Sequence, residues 1–179
     1  MERSLTDEEL KKLSEYTIPI MIYSDFIDNG VINSLMRSPD KCVIFLVRQE
    51  ETSGHWCLCF LKEKGSEIGV HVYDPYGNPP DSKEWKQYVK EDILSTLHQE
   101  KPYLLNQLYN SGYNIYFNEF KHQKKDNKTS TCGRHCILRS CFLDLDTDQY
   151  NELIKSKCAS LGVSPDELVC IITNDFLNN

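Results

Sequence analysis

Cys42-Val43-Ile44-Phe45-Leu46-Val47-Arg48 is apolar on both faces, which predicts a strand buried on both sides. Two further strand-like runs follow in "GHWCLCFLKEKGSEIGVHVYDPYG", hinged on a turn at Lys64-Gly65, and "YNIYFNEF" reads as another strand. Helical spacing dominates elsewhere. Trp85, Tyr88, Val89, Ile93, Leu94 and Leu97 recur on one face of a helix that Asp81-Ser82 can cap. Thr6-Asp7-Glu8-Glu9 is a capping box opening a short helix to about Ser14. The stretch from Tyr16 to Ser38 is broken by Pro19 and Gly30 and carries no clear period. Three helices close the chain. The first begins in "TCGRHCILRSCFL", and the second runs near Asp148 to Leu161. The third has Ser164 as N-cap, Pro165 at its first position and Glu167 completing a capping box. With no repeat, low-complexity segment or linker, the pattern implies one α+β domain over residues 1–179, a mixed central sheet flanked by helices.

The hairpin brings side chains together. Pairing across Lys64-Gly65 sets Cys57 opposite Val72, Cys59 opposite Val70 and Leu61 opposite Ile68 on one face. Trp56 meets Tyr73, Leu58 meets His71 and Lys62 meets Glu67 on the other. Extended to the open end, this register faces His55 with Asp74, Cβ atoms roughly 4.5–5.5 Å apart. A shift of two residues would keep the faces and put Asp74 opposite Cys57 instead. An imidazole that donates one N–H to a carboxylate keeps its other nitrogen for a proton from a nucleophile. The bland alternative is a His and an Asp that end strands and bond locally.

Composition narrows the chemistry. At 179 residues and 40% hydrophobic content the chain can bury a core without cross-links or metals. Its first residues, "MERSLTDEEL", are charged where a signal peptide is apolar, and runs such as Val169 to Ile172 are too short to cross a bilayer. The expectation is an intracellular, unexported protein with no membrane partner, in which eight cysteines are mostly free thiols. A net charge of -7 argues against a chain that mainly holds nucleic acid. The basic run "KHQKKDNK", residues 121–128, supports weak, salt-dependent binding at most.

The stretch "TCGRHC" concentrates candidate chemistry. Thr129, Ser130 and Thr131 are all competent N-caps, so Cys132 falls in the first turn of a helix, where free N–H groups and the helix dipole favour a thiolate. Gly133 leaves room for a substrate backbone, and N–H groups of that turn can receive an oxyanion. Cys136 and Cys141 fall deeper in the helix and read as core, as do Cys42, Cys158 and Cys170 in their apolar contexts. His135, one turn after Cys132, is a rival base with no evident carboxylate beside it. A zinc site would draw on His55, Cys57, Cys59, Cys132, His135 and Cys136, but a His-x-Cys-x-Cys strand matches zinc knuckles poorly. No cofactor is called for.

"GHW", "VYDPYG", Gln123 and "TCG", in that order, resemble the adenain-like and SUMO-protease-like cysteine peptidases over residues 42–142. The resemblance implies a papain-like, adenain-like architecture with the nucleophile at a helix N-terminus. It implies Cys132 as nucleophile, His55 as base, Asp74 as its orienter, Gln123 as oxyanion donor and Trp56, with Gly133, at the substrate groove. The family sets its Gln closer to the Cys-Gly than Gln123 stands here, so the intervening segment is a longer loop or the donor is Asn127. "DPYG" resembles the adenain type, so the expected function is a monomeric maturation protease of a DNA virus or virophage. It would cut capsid precursors after Gly, in the virion or in host cytoplasm or nucleus. The alternatives are a protease that removes SUMO or ubiquitin, acting on ubiquitin-like fusions, and a non-catalytic zinc or protein-binding module.

Overall fold

A computed structural model of the chain describes residues 4–50, 53–87, 89–126 and 128–177. Five strands, β1 (Ile20–Ile22), β2 (Cys42–Arg48), β3 (Gly54–Lys64), β4 (Glu67–Tyr73) and β5 (Asn114–Phe117), form one sheet in the order β1-β2-β3-β4-β5. The two outer pairs are parallel and the two inner pairs antiparallel. Because successive residues of a strand point to opposite faces, an all-apolar strand needs cover on both sides. One face, with Ile44, Leu46, Trp56, Leu58 and Phe60, packs under α1 (Asp7–Leu13), α7 (Cys132–Ser140), α8 (Thr147–Leu161) and α9 (Pro165–Leu177). The other, with Val43, Phe45, Cys57, Cys59 and Val72, packs under α2 (Asp25–Asn29), α3 (Val31–Arg37), α4 (Lys83–Lys86) and α6 (Tyr103–Asn110). The result is the α+β mixed sheet flanked by helices that the hydrophobic pattern implies.

The capping boxes form as expected. Thr6 N–H donates to Glu9 at 2.9 Å and Ser164 N–H to Glu167 at 2.7 Å, with the reciprocal bonds present. The β3–β4 register, however, differs by two residues from the one expected. Cys59 faces Val72 and Lys64 faces Glu67, so the turn residues are Gly65 and Ser66. Gly65 has φ +64 and Ser66 has no positive φ, the pattern of a two-residue turn that requires glycine first. Glycine therefore sets the register, overriding the Lys62–Glu67 pairing.

The single helix expected after Asp81 is instead α4 and α5 (Glu91–Leu94), with extended backbone at Lys90. The Asp81 carboxylate is taken by Tyr23 Oη at 2.6 Å and Leu105 N–H at 2.7 Å, and α4 has no side-chain cap. Tyr88, expected on that helix, lies outside the described residues. The unpatterned region Tyr16–Ser38 contains β1, α2 and α3, and α6 has no counterpart in the sequence reading.

Candidate active site

Three elements converge at one end of the sheet: the start of β3, the residue after β4, and the start of α7. His55 Nε2 donates to Asp74 Oδ1 at 2.6 Å. In the observed register Asp74 lies beyond the last pair, so His55 meets it diagonally, within reach of an imidazole. Asp74 is fully buried and its carboxylate also accepts from Tyr76 N–H at 2.8 Å and Trp85 Nε1 at 2.9 Å. Its backbone is fixed on both sides by Asn118, which accepts from Asp74 N–H at 2.9 Å and donates to Asp74 O at 2.7 Å. The His55 ring stacks on Tyr76, centroids 4.4 Å apart.

His55 and the Cys132 thiol line the same cavity, close enough for each to shift the other's protonation. Burial would lower the His55 pKa, yet the charge of Asp74, aided by its hydrogen bond and the nearby thiols, holds it well above the usual histidine value. Burial would raise Cys132, yet the His55 bond and charge, with backbone bonds from Trp56 and Gly133, bring it below the ordinary thiol value. Six other thiols go the opposite way. Burial pushes Cys57, next to His55, up to about 12, and also raises Cys42, Cys59, Cys136, Cys141 and Cys158. Cys132 and His55 open onto a cavity of about 260 Å³ lined also by Gln49, Tyr76, Gln123, Lys125 and Ser130. Gln123 Nε2 donates to Thr129 O at 3.2 Å and Tyr76 Oη at 3.3 Å, while its Oε1 is buried without a hydrogen-bond partner. The arrangement can store a nucleophilic sulfur beside a proton donor.

No protein-family model matches the chain. A protein of Sputnik virophage, "Uncharacterized protein V9", is 30% identical over 170 residues, covering 95% of this chain and 94% of that one. The chain belongs to the family of virophage protein V9. Among solved structures, the ASFV pS273R protease gives a TM-score of 0.46 at 13% identity, covering 81% of this chain and 60% of the protease. Its selenomethionine form gives 0.32 at 14% identity, over 59% of this chain and 35% of the other. The chain thus spans about three fifths of that protease's length.

Not every expected residue sits on the cavity. Trp56 is 4% exposed and lies beneath α7, and Gly133 is buried against it. A Cβ at Gly133 would stand 3.3 Å from Trp56 Cδ1 and 3.1 Å from Leu10 Cδ2. Gly133 thus lets α7 settle on β3 and α1; the close approach expected from a substrate backbone comes from the protein's own core. Asn127 lies outside the described residues. His135 does have a carboxylate, contrary to expectation: its Nε2 donates to Asp166 Oδ1 at 3.0 Å. It is 1% exposed, and burial lowers its pKa despite that bond. Thr131 holds the N-cap position of α7 without capping it, because its hydroxyl donates to Asp166.

The six residues of the zinc reading are not gathered. His55, Cys57 and Asp74 are the one group among the described residues with ligand atoms mutually within 4.8 Å, and His55 and Asp74 are already bonded to each other. Cys136 Sγ donates to Trp56 O at 3.4 Å. The sequence reading missed Tyr76, Trp85, Asn118 and Asp166. Tyr76 stands inside the "DPYG" motif that drew attention to Asp74. Trp85 reads from its spacing as an ordinary helix-core residue.

Proposed function

We propose that this chain is a cysteine endopeptidase in which Cys132 is the nucleophile, His55 the base and acid, and Asp74 the orienter. The observation that carries the reading is His55, bonded to the buried Asp74 carboxylate, sharing one cavity with the Cys132 thiol; the charges there hold the imidazole pKa up and the thiol pKa down. Opposite shifts favour a thiolate–imidazolium pair, ready before substrate arrives. The sulfur attacks the scissile carbonyl carbon and the π electrons move to oxygen. As the C–N bond breaks, His55 gives its proton to the departing amine. Water then loses a proton to His55 and attacks the thioester, releasing the acid and restoring the thiolate. The N–H groups at the uncapped start of α7 are available to the oxyanion, and the Gln123 amide, across the cavity, joins them by releasing one of its bonds to Thr129 O or Tyr76 Oη.

The substrate reading is cleavage after Gly in viral structural precursors, supported by the family resemblance and by the virophage source of the V9 relative. Removal of a ubiquitin-like protein is the second reading, since the same residues would serve it. Brief iodoacetamide treatment at pH 6 followed by mass mapping tests the nucleophile, with Cys132 expected to be labelled first. Labelling of Cys57 or Cys136 ahead of it would refute the assignment. Cys132→Ala should abolish turnover of short Gly-containing peptides while the fold is kept. Turnover only of intact ubiquitin-like fusions would favour the second reading.

A further inference from the structure

The loop between Gln123 and Cys132 is longer than the resemblance leads one to expect, yet both residues line the same cavity. One carboxylate closes its base. Asp166, in the first turn of α9, accepts from Lys124 N–H at Oδ2, 2.9 Å, and from the Thr131 hydroxyl at Oδ1. These are the residue immediately after Gln123 and the one immediately before Cys132. The same Oδ1 accepts from His135 Nε2 at 3.0 Å, one turn into the helix that carries Cys132. We infer that Asp166 is a positioning residue of the cleft: it ties the two ends of the 124–131 loop together and to α7, and so sets Gln123 against Cys132.

The Gln123 amide also crosses the loop, donating to Thr129 O at 3.2 Å, but among the described residues of the loop it is Asp166 that joins both ends to α7. Inside the loop, Asp126 accepts from Lys128 N–H and Thr129 N–H at 2.9 and 2.8 Å, which shapes the tip without joining it to a helix. On the far side, Gln123 N–H and His122 N–H both donate to Pro75 O, fixing them to the segment after Asp74. Asp166 supplies the missing connection to the nucleophile's helix. Its side chain is 13% exposed, and although burial would raise its pKa, the bonds from His135, Thr131 and Lys124 keep it below the usual carboxylate value. Thr131, His135 and Lys124 are thus three donors spent on one acceptor group outside the His55–Asp74 pair. Asp166 acts on the oxyanion side, not on formation of the thiolate.

The inference rests on the peptidase reading, and its test separates the two. Kinetics on a peptide substrate, the Cys132 alkylation rate and amide hydrogen exchange over residues 124–131 are measured for the intact chain and for Asp166→Asn. An amide cannot accept all three donors. The expected result is a kcat lowered roughly tenfold to a hundredfold, because displaced oxyanion donors cost rates of that order. Alkylation should stay within about twofold, since His55 and Asp74 are untouched, and exchange over 124–131 should become faster. Asp166→Glu, which keeps the acceptors, should recover part of kcat. Thr131→Val, which removes one donor at nearly constant shape, should shift kcat and exchange in the same direction, and carries the test if Asp166→Asn fails to fold. Unchanged exchange, or kcat and alkylation falling in parallel with melting temperature, would overturn the inference. If the wild-type chain cleaves no peptide, the peptidase reading fails, and the exchange comparison still decides whether Asp166 holds the loop.

Discussion

Asp74 has no exposed surface, and its carboxylate is oriented by donors from three directions: His55, the Tyr76 backbone and Trp85 Nε1. A carboxylate so enclosed cannot rotate away from the imidazole it orients. Asp74→Asn should therefore lower kcat/KM by roughly a hundredfold or more, since an amide can hold the ring but cannot stabilise imidazolium. Trp85→Phe removes one donor from a buried charge and should cost about 1–3 kcal/mol of stability, read by urea denaturation. The His55–Asp74 pair was legible from strand alternation even though its register was not. A two-residue slip leaves each side chain on its face, and a histidine reaches diagonally where a shorter residue would not. Trp85, Asn118 and Asp166 were not legible, because each acts through a contact between segments that no local period connects.

At the scale of elements, two glycines show different constraints. Gly65 has φ +64 and open space around its Cβ position, so its requirement is backbone conformation. Gly65→Ala should cost on the order of 1 kcal/mol and leave peptide turnover unchanged, as denaturation and kinetics would show. Gly133 has no positive φ, but its Cβ position is crowded by Leu10 and Trp56. Gly133→Ala should cost roughly 1–3 kcal/mol through overpacking and lower turnover as well, because the start of α7 must lift off β3. Capping boxes and the closing helices were readable because their signals are local. The break between α4 and α5 was not, since the extended backbone at Lys90 interrupts an apolar period that runs on through both helices.

For the whole molecule, acid sensitivity follows from two buried histidines. Burial lowers His71 and His122 to about 4, below the value they take in the unfolded chain. Between about pH 6.5 and 4 the unfolded state therefore binds protons that the folded state refuses, so stability falls as pH is lowered through that window. The loss should reach a few kcal/mol and level off below about pH 4 with respect to these two groups. Urea midpoints across the range measure it, and a substitution of His122 that keeps its packing should flatten the slope. Activity has its own limits: it should rise with pH through the depressed Cys132 value and fall through the raised His55 value. The net charge of -7 predicts DNA binding that is weak and lost at physiological salt, which a titration at two ionic strengths checks.

The nucleophile is the last part of the catalytic group to be synthesised. His55 and Asp74 belong to one hairpin and meet by a short chain closure, whereas Cys132 reaches them only when α7 docks on a sheet whose strands all precede it in sequence. On the proposed reading, the three side chains are present together only once the final third of the molecule has been made. The chain has two tryptophans, and Trp56 sits where α7 lands. In a Trp85→Phe background its fluorescence should report that docking, and recovery of fast Cys132 alkylation during refolding should follow the same phase without preceding it.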